Sequence, residues 1–120
     1  MSGRRLTASG AFLAALAVGL GAFGAHALRG HLDAEALGWW QTAVLYLLSH
    51  AVAVVAIGQS RRPRLVLPGW LLASGAMLFA ATLFAMSLGA PRWLGAVTPL
   101  GGTAMIGGWL LLGWRSLRED

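Results

Sequence analysis

Four long apolar runs, separated by short segments that carry arginine, constrain the fold of this chain more than any other feature. The runs cover about residues 6–28, 42–59, 66–88 and 94–114. Each run falls within the roughly 17–25 residues that an α-helix needs to cross a bilayer. Because the runs use most of the 120 residues, the chain is predicted to be all-α, a four-helix transmembrane bundle that forms one integral membrane domain over residues 1–120.

The composition agrees with a membrane protein and gives no sign of an enzyme. Hydrophobic residues make up 58% of the chain and charged residues 11%, which is too little polar surface for a soluble domain of this size. The absence of cysteine excludes disulfides and thiolate metal sites. The sequence also lacks the serine-nucleophile, zinc-protease and phosphate-loop motifs. We therefore expect no catalytic residue and no cofactor.

The distribution of charge predicts the orientation in the membrane. All nine basic residues are arginines, against four acids. Seven arginines lie in the N-terminal tail, the loop between the second and third runs, and the C-terminus, and the other two loops carry one each. By the positive-inside rule, both termini are predicted to be cytoplasmic, N-in and C-in. Because the arginines lie at span ends, the expected partner is the lipid bilayer and not nucleic acid.

The first run admits a second interpretation. Arg4 and Arg5, the apolar run and the Ala25-His26-Ala27 triplet resemble a cleavable export signal. The run is long for a signal core, however, and it carries a stripe of small residues at helical spacing. We therefore favour a retained span. Arginine in place of lysine, together with many alanines and glycines, fits a GC-rich bacterial genome, so the predicted location is the bacterial inner (plasma) membrane.

Small residues at helical spacing predict which faces of the helices pack together. Such residues let two helix backbones approach closely in lipid. In the first and fourth runs the residues assigned to helix packing are Gly21, Gly24, Gly101, Gly102 and Gly108. A neighbouring bulky stripe of Leu13, Leu16, Leu20 and Phe23 is expected to face lipid. The second helix is expected to begin before its apolar run, with Asp33 as N-cap.

A few polar side chains inside the runs form the candidate polar core. They are His26, Thr42, Tyr46, His50 and Thr98. The first interpretation is that they form hydrogen bonds between helices, in a non-catalytic structural or interaction component of the membrane, with a homo-oligomer or another membrane protein as possible partner. The alternative is a proton-linked channel or carrier that uses His26, Tyr46 and His50. No metal site is predicted, because the spacing of the three histidines places no two of them on one helical turn.

Several of these residues stand in motifs that resemble a known family. The motifs are Gly21-Ala22-Phe23-Gly24-Ala25-His26, Trp40-Gln41-Thr42 with Tyr46 and His50, and Thr98-Pro99-Leu100-Gly101-Gly102 with Gly108-Trp109. Together they resemble domain of unknown function family 423, small bacterial inner-membrane proteins with eukaryotic relatives called transmembrane protein 256. In the third run only Ser87-Leu88 keeps the expected pattern. The resemblance implies a four-span membrane protein and no established reaction.

Overall fold

The computed structural model describes residues 2–118 and consists of helices joined by short connections. The helices are α1 (Ser2–His26), α2 (Ala34–Gln59), α3 (Val66–Ser87) and α4 (Thr98–Ser116). Two short 3₁₀ turns, Pro63–Leu65 and Arg92–Ala96, precede α3 and α4. No β-strand occurs in these residues. All four helical segments are long and apolar enough to cross a membrane, so the predicted all-α, four-span architecture is confirmed.

The ends of the helices follow from local sequence signals. The Ala36 backbone N–H donates a hydrogen bond of 2.8 Å to Asp33 Oδ1, which makes Asp33 the N-cap of α2. The prediction that the second helix starts ahead of its apolar run is therefore confirmed. The fourth apolar run does not form one continuous α-helix. Its first residues form the 3₁₀ turn, and α4 begins only at Thr98, with Pro99 in its first turn, because proline lacks the N–H that a helix interior requires.

The helices pack mainly in chain order. Most contacts lie between α1 and α2, between α2 and α3, and between α3 and α4. α1 also touches α3, whereas α1 and α4 lie at the two edges of the group. Fully buried side chains such as Leu6, Val54 and Leu72 fill the centre. Large apolar side chains on the edge helices, including Phe12 and Leu110, face outward, where lipid tails solvate them as well as a protein core would.

One detail of the predicted lipid-facing stripe on α1 is wrong. Leu16 and Phe23 are about half exposed, as expected, but Leu13 is 7% exposed and belongs to the core. The reason is that Leu13 lies one helical turn before Ala17, which is fully buried, and residues four apart share a helix face. The bulky and small stripes of α1 therefore overlap at Leu13.

Candidate functional site

His50 is the most connected polar side chain in the middle of the molecule. It is 7% exposed. Its Nδ1 lies 2.8 Å from the backbone carbonyl oxygen of Tyr46, one turn earlier in α2. Its Nε2 accepts a hydrogen bond of 2.9 Å from the indole Nε1 of Trp109 in α4. Ser49 Oγ lies 3.2 Å from the same Nδ1. Both ring nitrogens of His50 are therefore engaged.

These contacts identify the proton on the His50 ring. An indole N–H only donates, so Nε2 of His50 must accept and must be unprotonated. A carbonyl oxygen only accepts, so the proton lies on Nδ1 and points toward Tyr46. The ring is therefore the neutral Nδ1–H tautomer. An imidazolium would carry a second N–H on Nε2, directed at the N–H of Trp109, and this hydrogen bond would be lost.

The other predicted polar residues of α2 border His50 without closing a network around it. The Tyr46 ring lies 6.0 Å from the imidazole and 17° from parallel to it, and it also touches Phe79 at 4.7 Å between centroids. Tyr46 is 39% exposed, and Thr42 is exposed one turn earlier. Tyr46 thus covers one face of His50, and only its backbone oxygen bonds to the ring.

The structure does not bring His26 and His50 together. α1 runs antiparallel to α2, and contacts between Gly10 and Ala51 and between Gly21 and Val44 fix their register. By this register His50 lies beside about residue 14 of α1. His26 is the exposed last residue of that helix. At 1.5 Å per residue, the axial separation of the two histidines is roughly 18 Å.

Thr98 forms a separate polar contact between α3 and α4. Its Oγ1 lies 2.7 Å from Thr82 Oγ1, and both side chains are buried. One of the two hydroxyls donates to the other. Thr98 Oγ1 also reaches the Leu94 carbonyl oxygen at 3.1 Å, and Thr82 Oγ1 reaches that of Phe79 at 2.9 Å. Thr98 is therefore bonded to Thr82 and to the 3₁₀ turn that precedes α4, away from His50.

Two buried residues that were not among the candidates, Trp40 and Ser87, also form interhelical hydrogen bonds. Trp40 is 3% exposed, and its indole Nε1 donates to the Leu20 carbonyl oxygen at 2.8 Å, joining α2 to α1. Ser87 Oγ is 2.9 Å from the Ala36 carbonyl oxygen, joining α3 to α2. Trp40 and Ser87 both stand in the family motifs, so a sequence signal existed, but tryptophan near a span end is ordinarily assigned to the membrane interface.

The five glycines assigned to helix packing all face a neighbouring helix. A Cβ at Gly101 would lie 2.6 Å from the Phe79 backbone nitrogen, and at Gly108 2.9 Å from Leu72. At Gly24 it would overlap the Trp40 indole, and at Gly21 it would meet Val44 at 3.1 Å. Gly102 is looser, with Phe79 at 3.9 Å. The tightest approaches, at Gly24 and Gly101, leave no room for any side chain.

The buried polar side chains of the interior are all hydrogen-bonded. Across residues 2–118, every buried side-chain nitrogen and oxygen has a hydrogen-bond partner. In the same part of the chain, no three histidine or carboxylate side chains cluster as metal ligands would. His50 lines neither of the two principal clefts, one of about 300 Å³ between α1 and α2 and one of about 630 Å³ at the arginine-rich end.

The chain matches the family model described as "Protein of unknown function (DUF423)" over residues 20–102, which is more than half of its length. The chain belongs to the DUF423 family. The matched segment runs from the end of α1 through the start of α4, and it contains His50, Trp40 and Thr98. The resemblance to domain of unknown function family 423 is thereby confirmed.

Curated relatives of this DUF423 protein are bacterial membrane proteins. The UPF0382 membrane protein YwdK of Bacillus subtilis is 43% identical over 108 residues, which cover 86% of this chain and 88% of that protein. A UPF0382 membrane protein of Staphylococcus saprophyticus is 41% identical over 106 residues, 86% of this chain and 88% of its own. One from Haemophilus influenzae is 37% identical over 107 residues, 85% of both chains. No solved structure matches the chain. A multi-pass membrane protein of unknown function is what these relatives support.

Proposed function

We propose that this DUF423 protein is a non-catalytic structural or interaction component of the membrane. Residues 1–120 act as one integral domain, and the buried polar side chains serve to hold its helices in register. The outer faces of α1 and α4 then remain available for a second copy of the chain or for another membrane protein. Their exposed apolar side chains, such as Phe12 and Leu110, are compatible with either lipid or protein contact.

The observation that carries this proposal is that both ring nitrogens of His50 are hydrogen-bonded within the protein. A proton relay needs a group that can gain a proton on one side and lose it on the other, and that exchanges partners as it does so. The Nε2 of His50 is occupied by the Trp109 N–H and its Nδ1 by the Tyr46 carbonyl oxygen. An imidazole held in this way stabilises helix packing.

The alternative is a proton-linked channel or carrier built on His26, Tyr46 and His50. It requires a continuous polar path between these groups. The axial separation of roughly 18 Å between the two histidines would have to be bridged by several waters along an apolar stretch of α1. Within residues 2–118 the interior holds no carboxylate, since Asp33 and Glu35 lie at the start of α2 and are exposed. Intramembrane acids are common in proton pathways.

Proton flux in liposomes separates the two functions. Purified wild-type protein and the His50→Ala variant would be reconstituted with an internal pH-sensitive dye, and flux would be followed after a pH jump. We expect no flux above that of protein-free liposomes from either protein, with the variant unfolding at a lower SDS fraction. Thr42→Ala is the matched control, because Thr42 is an exposed polar residue of the same helix. Wild-type flux that disappears in a well-folded His50→Ala variant would establish the alternative.

We also propose that the protein resides in the bacterial inner membrane with both termini cytoplasmic. The support is the gathering of the arginine-bearing segments at one end. Arg62 donates to the Arg118 carbonyl oxygen at 3.1 Å, and Arg115 donates to that of Arg64 at 3.0 Å. The α2–α3 connection and the C-terminus therefore meet on the same side, which is the side that the positive-inside rule assigns to the cytoplasm.

A further inference from the structure

A cleft of about 630 Å³ opens at the arginine-rich end of the molecule. Its volume lies in the roughly 300–1,000 Å³ range of sites that hold small molecules. The first turns of α1 form one wall, with Arg4 and Thr7. The end of α2 and the connection to α3 form the other, with Gln59, Arg61 and Arg62. The cleft is thus built from segments that are more than fifty residues apart in the sequence.

The cleft is positively charged on both walls. Arg4 extends from α1, and Arg61 from the connection, and both are exposed. Among residues 2–118, none of those that line the cleft is acidic. The start of α1 adds the partial positive charge of a helix N-terminus to the same wall. An anion in the cleft would therefore meet two guanidinium groups from opposite sides.

The backbone at Arg61 supports a role for its side chain. Arg61 has φ +58°, the left-handed conformation that follows many helix ends and that glycine or asparagine usually occupies. A residue with a Cβ is less stable than glycine in this conformation. Arginine stands at this position nonetheless, and its side chain lines the cleft. Arg62, by contrast, donates to the Arg118 carbonyl oxygen and ties the connection to the C-terminal segment.

The floor of the cleft meets the apolar part of the molecule. Ile57 and Val66 line it, and the fully buried Leu6 lies between Arg4 and Thr7 in α1. The contact between the walls is close, because a Cβ at Gly58 would lie 2.9 Å from the Gly3 carbonyl oxygen. The cleft therefore sits where a membrane helix passes from the apolar core to the headgroup layer, at the level of lipid phosphates.

We propose that this cleft binds a phosphate group, with Arg4 and Arg61 as its charged ligands. Guanidinium groups match phosphate oxygens through paired N–H donors. Basic sites between membrane helices on the arginine-rich side are suited to anionic lipid headgroups, so an anionic phospholipid is the source that the position favours. Free inorganic phosphate has the same chemistry and is separated from it by experiment. This inference does not depend on whether His50 conducts protons.

The test is ligand-induced stabilisation of the full chain in a neutral detergent. Thermal unfolding would be measured while phosphatidylglycerol, phosphatidylcholine or inorganic phosphate is titrated, and apparent affinities would be taken from the rise in melting temperature. We expect phosphatidylglycerol to stabilise the protein more than phosphatidylcholine does. Arg4→Gln and Arg61→Gln should each weaken phosphatidylglycerol binding about fivefold.

Arg5→Gln is the matched control. It removes the same charge from the same turn of α1, but Arg5 does not line the cleft, so its affinity should change less than twofold. Arg61→Lys keeps the charge but loses the paired N–H donors, so it should bind phosphatidylglycerol more weakly than the wild type and more tightly than Arg61→Gln. If inorganic phosphate stabilises the protein, phosphatidylglycerol does not, and Arg4→Gln abolishes the effect, then the cleft binds phosphate as the free ion and not as a lipid headgroup. Two outcomes would overturn the proposal. One is that Arg4→Gln and Arg5→Gln lower the affinity equally. The other is that the protein shows no preference for phosphatidylglycerol over phosphatidylcholine and no response to phosphate.

Discussion

The hydrogen bond between Trp109 and His50 can be tested by removing its donor while keeping an aromatic ring. Trp109→Phe deletes the indole N–H that lies 2.9 Å from His50 Nε2, and it leaves a buried acceptor without a partner. α2 and α4 are not neighbours in the packing order, so this bond is one of few contacts between them. We expect the free energy of unfolding to fall by about 1–2 kcal/mol, from the lost bond and some lost ring contact.

A double-mutant cycle isolates the bond itself. His50→Leu removes the acceptor with little change in volume, and the cycle combines it with Trp109→Phe. Hydrogen bonds between membrane helices average about 0.6 kcal/mol and reach about 1.7 kcal/mol in such cycles. The short distance and the 7% exposure of His50 place the expected coupling near 1 kcal/mol. The assay is unfolding in dodecyl maltoside micelles with a rising fraction of SDS, followed by circular dichroism.

Tyr46→Phe serves as the control for this cycle. It keeps the ring that stacks on His50 and the backbone carbonyl that bonds Nδ1, so its coupling to Trp109→Phe should be within about 0.3 kcal/mol of zero. Nitrogen-15 NMR of the imidazole should show the proton on Nδ1. A His50–Trp109 coupling no larger than that of the control, or a proton found on Nε2, would refute the assignment of His50 as a neutral bridge.

Three further outcomes are expected. Gly101→Ala should lower the free energy of unfolding by about 1–3 kcal/mol, because its Cβ would lie 2.6 Å from the Phe79 backbone nitrogen. Gly107→Ala is the control: this glycine has open space around it, so the substitution should be neutral or slightly stabilising in the same SDS titration. Thr98→Val should cost about 0.6–1.7 kcal/mol through loss of the bond to Thr82, and a neutral result would mean that the two hydroxyls are not paired. A green fluorescent protein fused to the C-terminus should fluoresce, and an alkaline phosphatase fused there should be inactive. The reverse pattern would contradict the cytoplasmic location proposed for the termini.

The helices themselves could be predicted from local features of the sequence. An apolar run of about 20 residues in a membrane can satisfy its backbone hydrogen bonds only as a helix, and this requires no knowledge of any neighbour. The cap at Asp33 is equally local, because the donor and acceptor are three residues apart. The glycines of the packing stripes were also recognisable, since close approach of two helices needs small residues whatever the partner is.

The partners of the polar residues could not be predicted in the same way. His50 and Trp109 are 59 residues apart, and whether they meet depends on the rotation of α2 and α4 about their axes. The spacing of Thr42, Tyr46 and His50 indicates a shared face, but it does not say which helix that face meets. Thr98 has a hydroxyl partner in Thr82 for the same reason, because the packing of α3 on α4 determines which side chains lie opposite.

The sequence by itself therefore determined the number of spans, their approximate ends and the arginine-rich side, because each depends on runs of residues and on the local solvent. Tertiary structure alone decided that His26 and His50 are separated by roughly 18 Å along the helix axes, that His50 faces Trp109, and that Arg4 and Arg61 border one cleft. These relations depend on helix register and rotation. Both are set by the sum of many weak packing contacts across the interfaces, and no single stretch of sequence contains that sum.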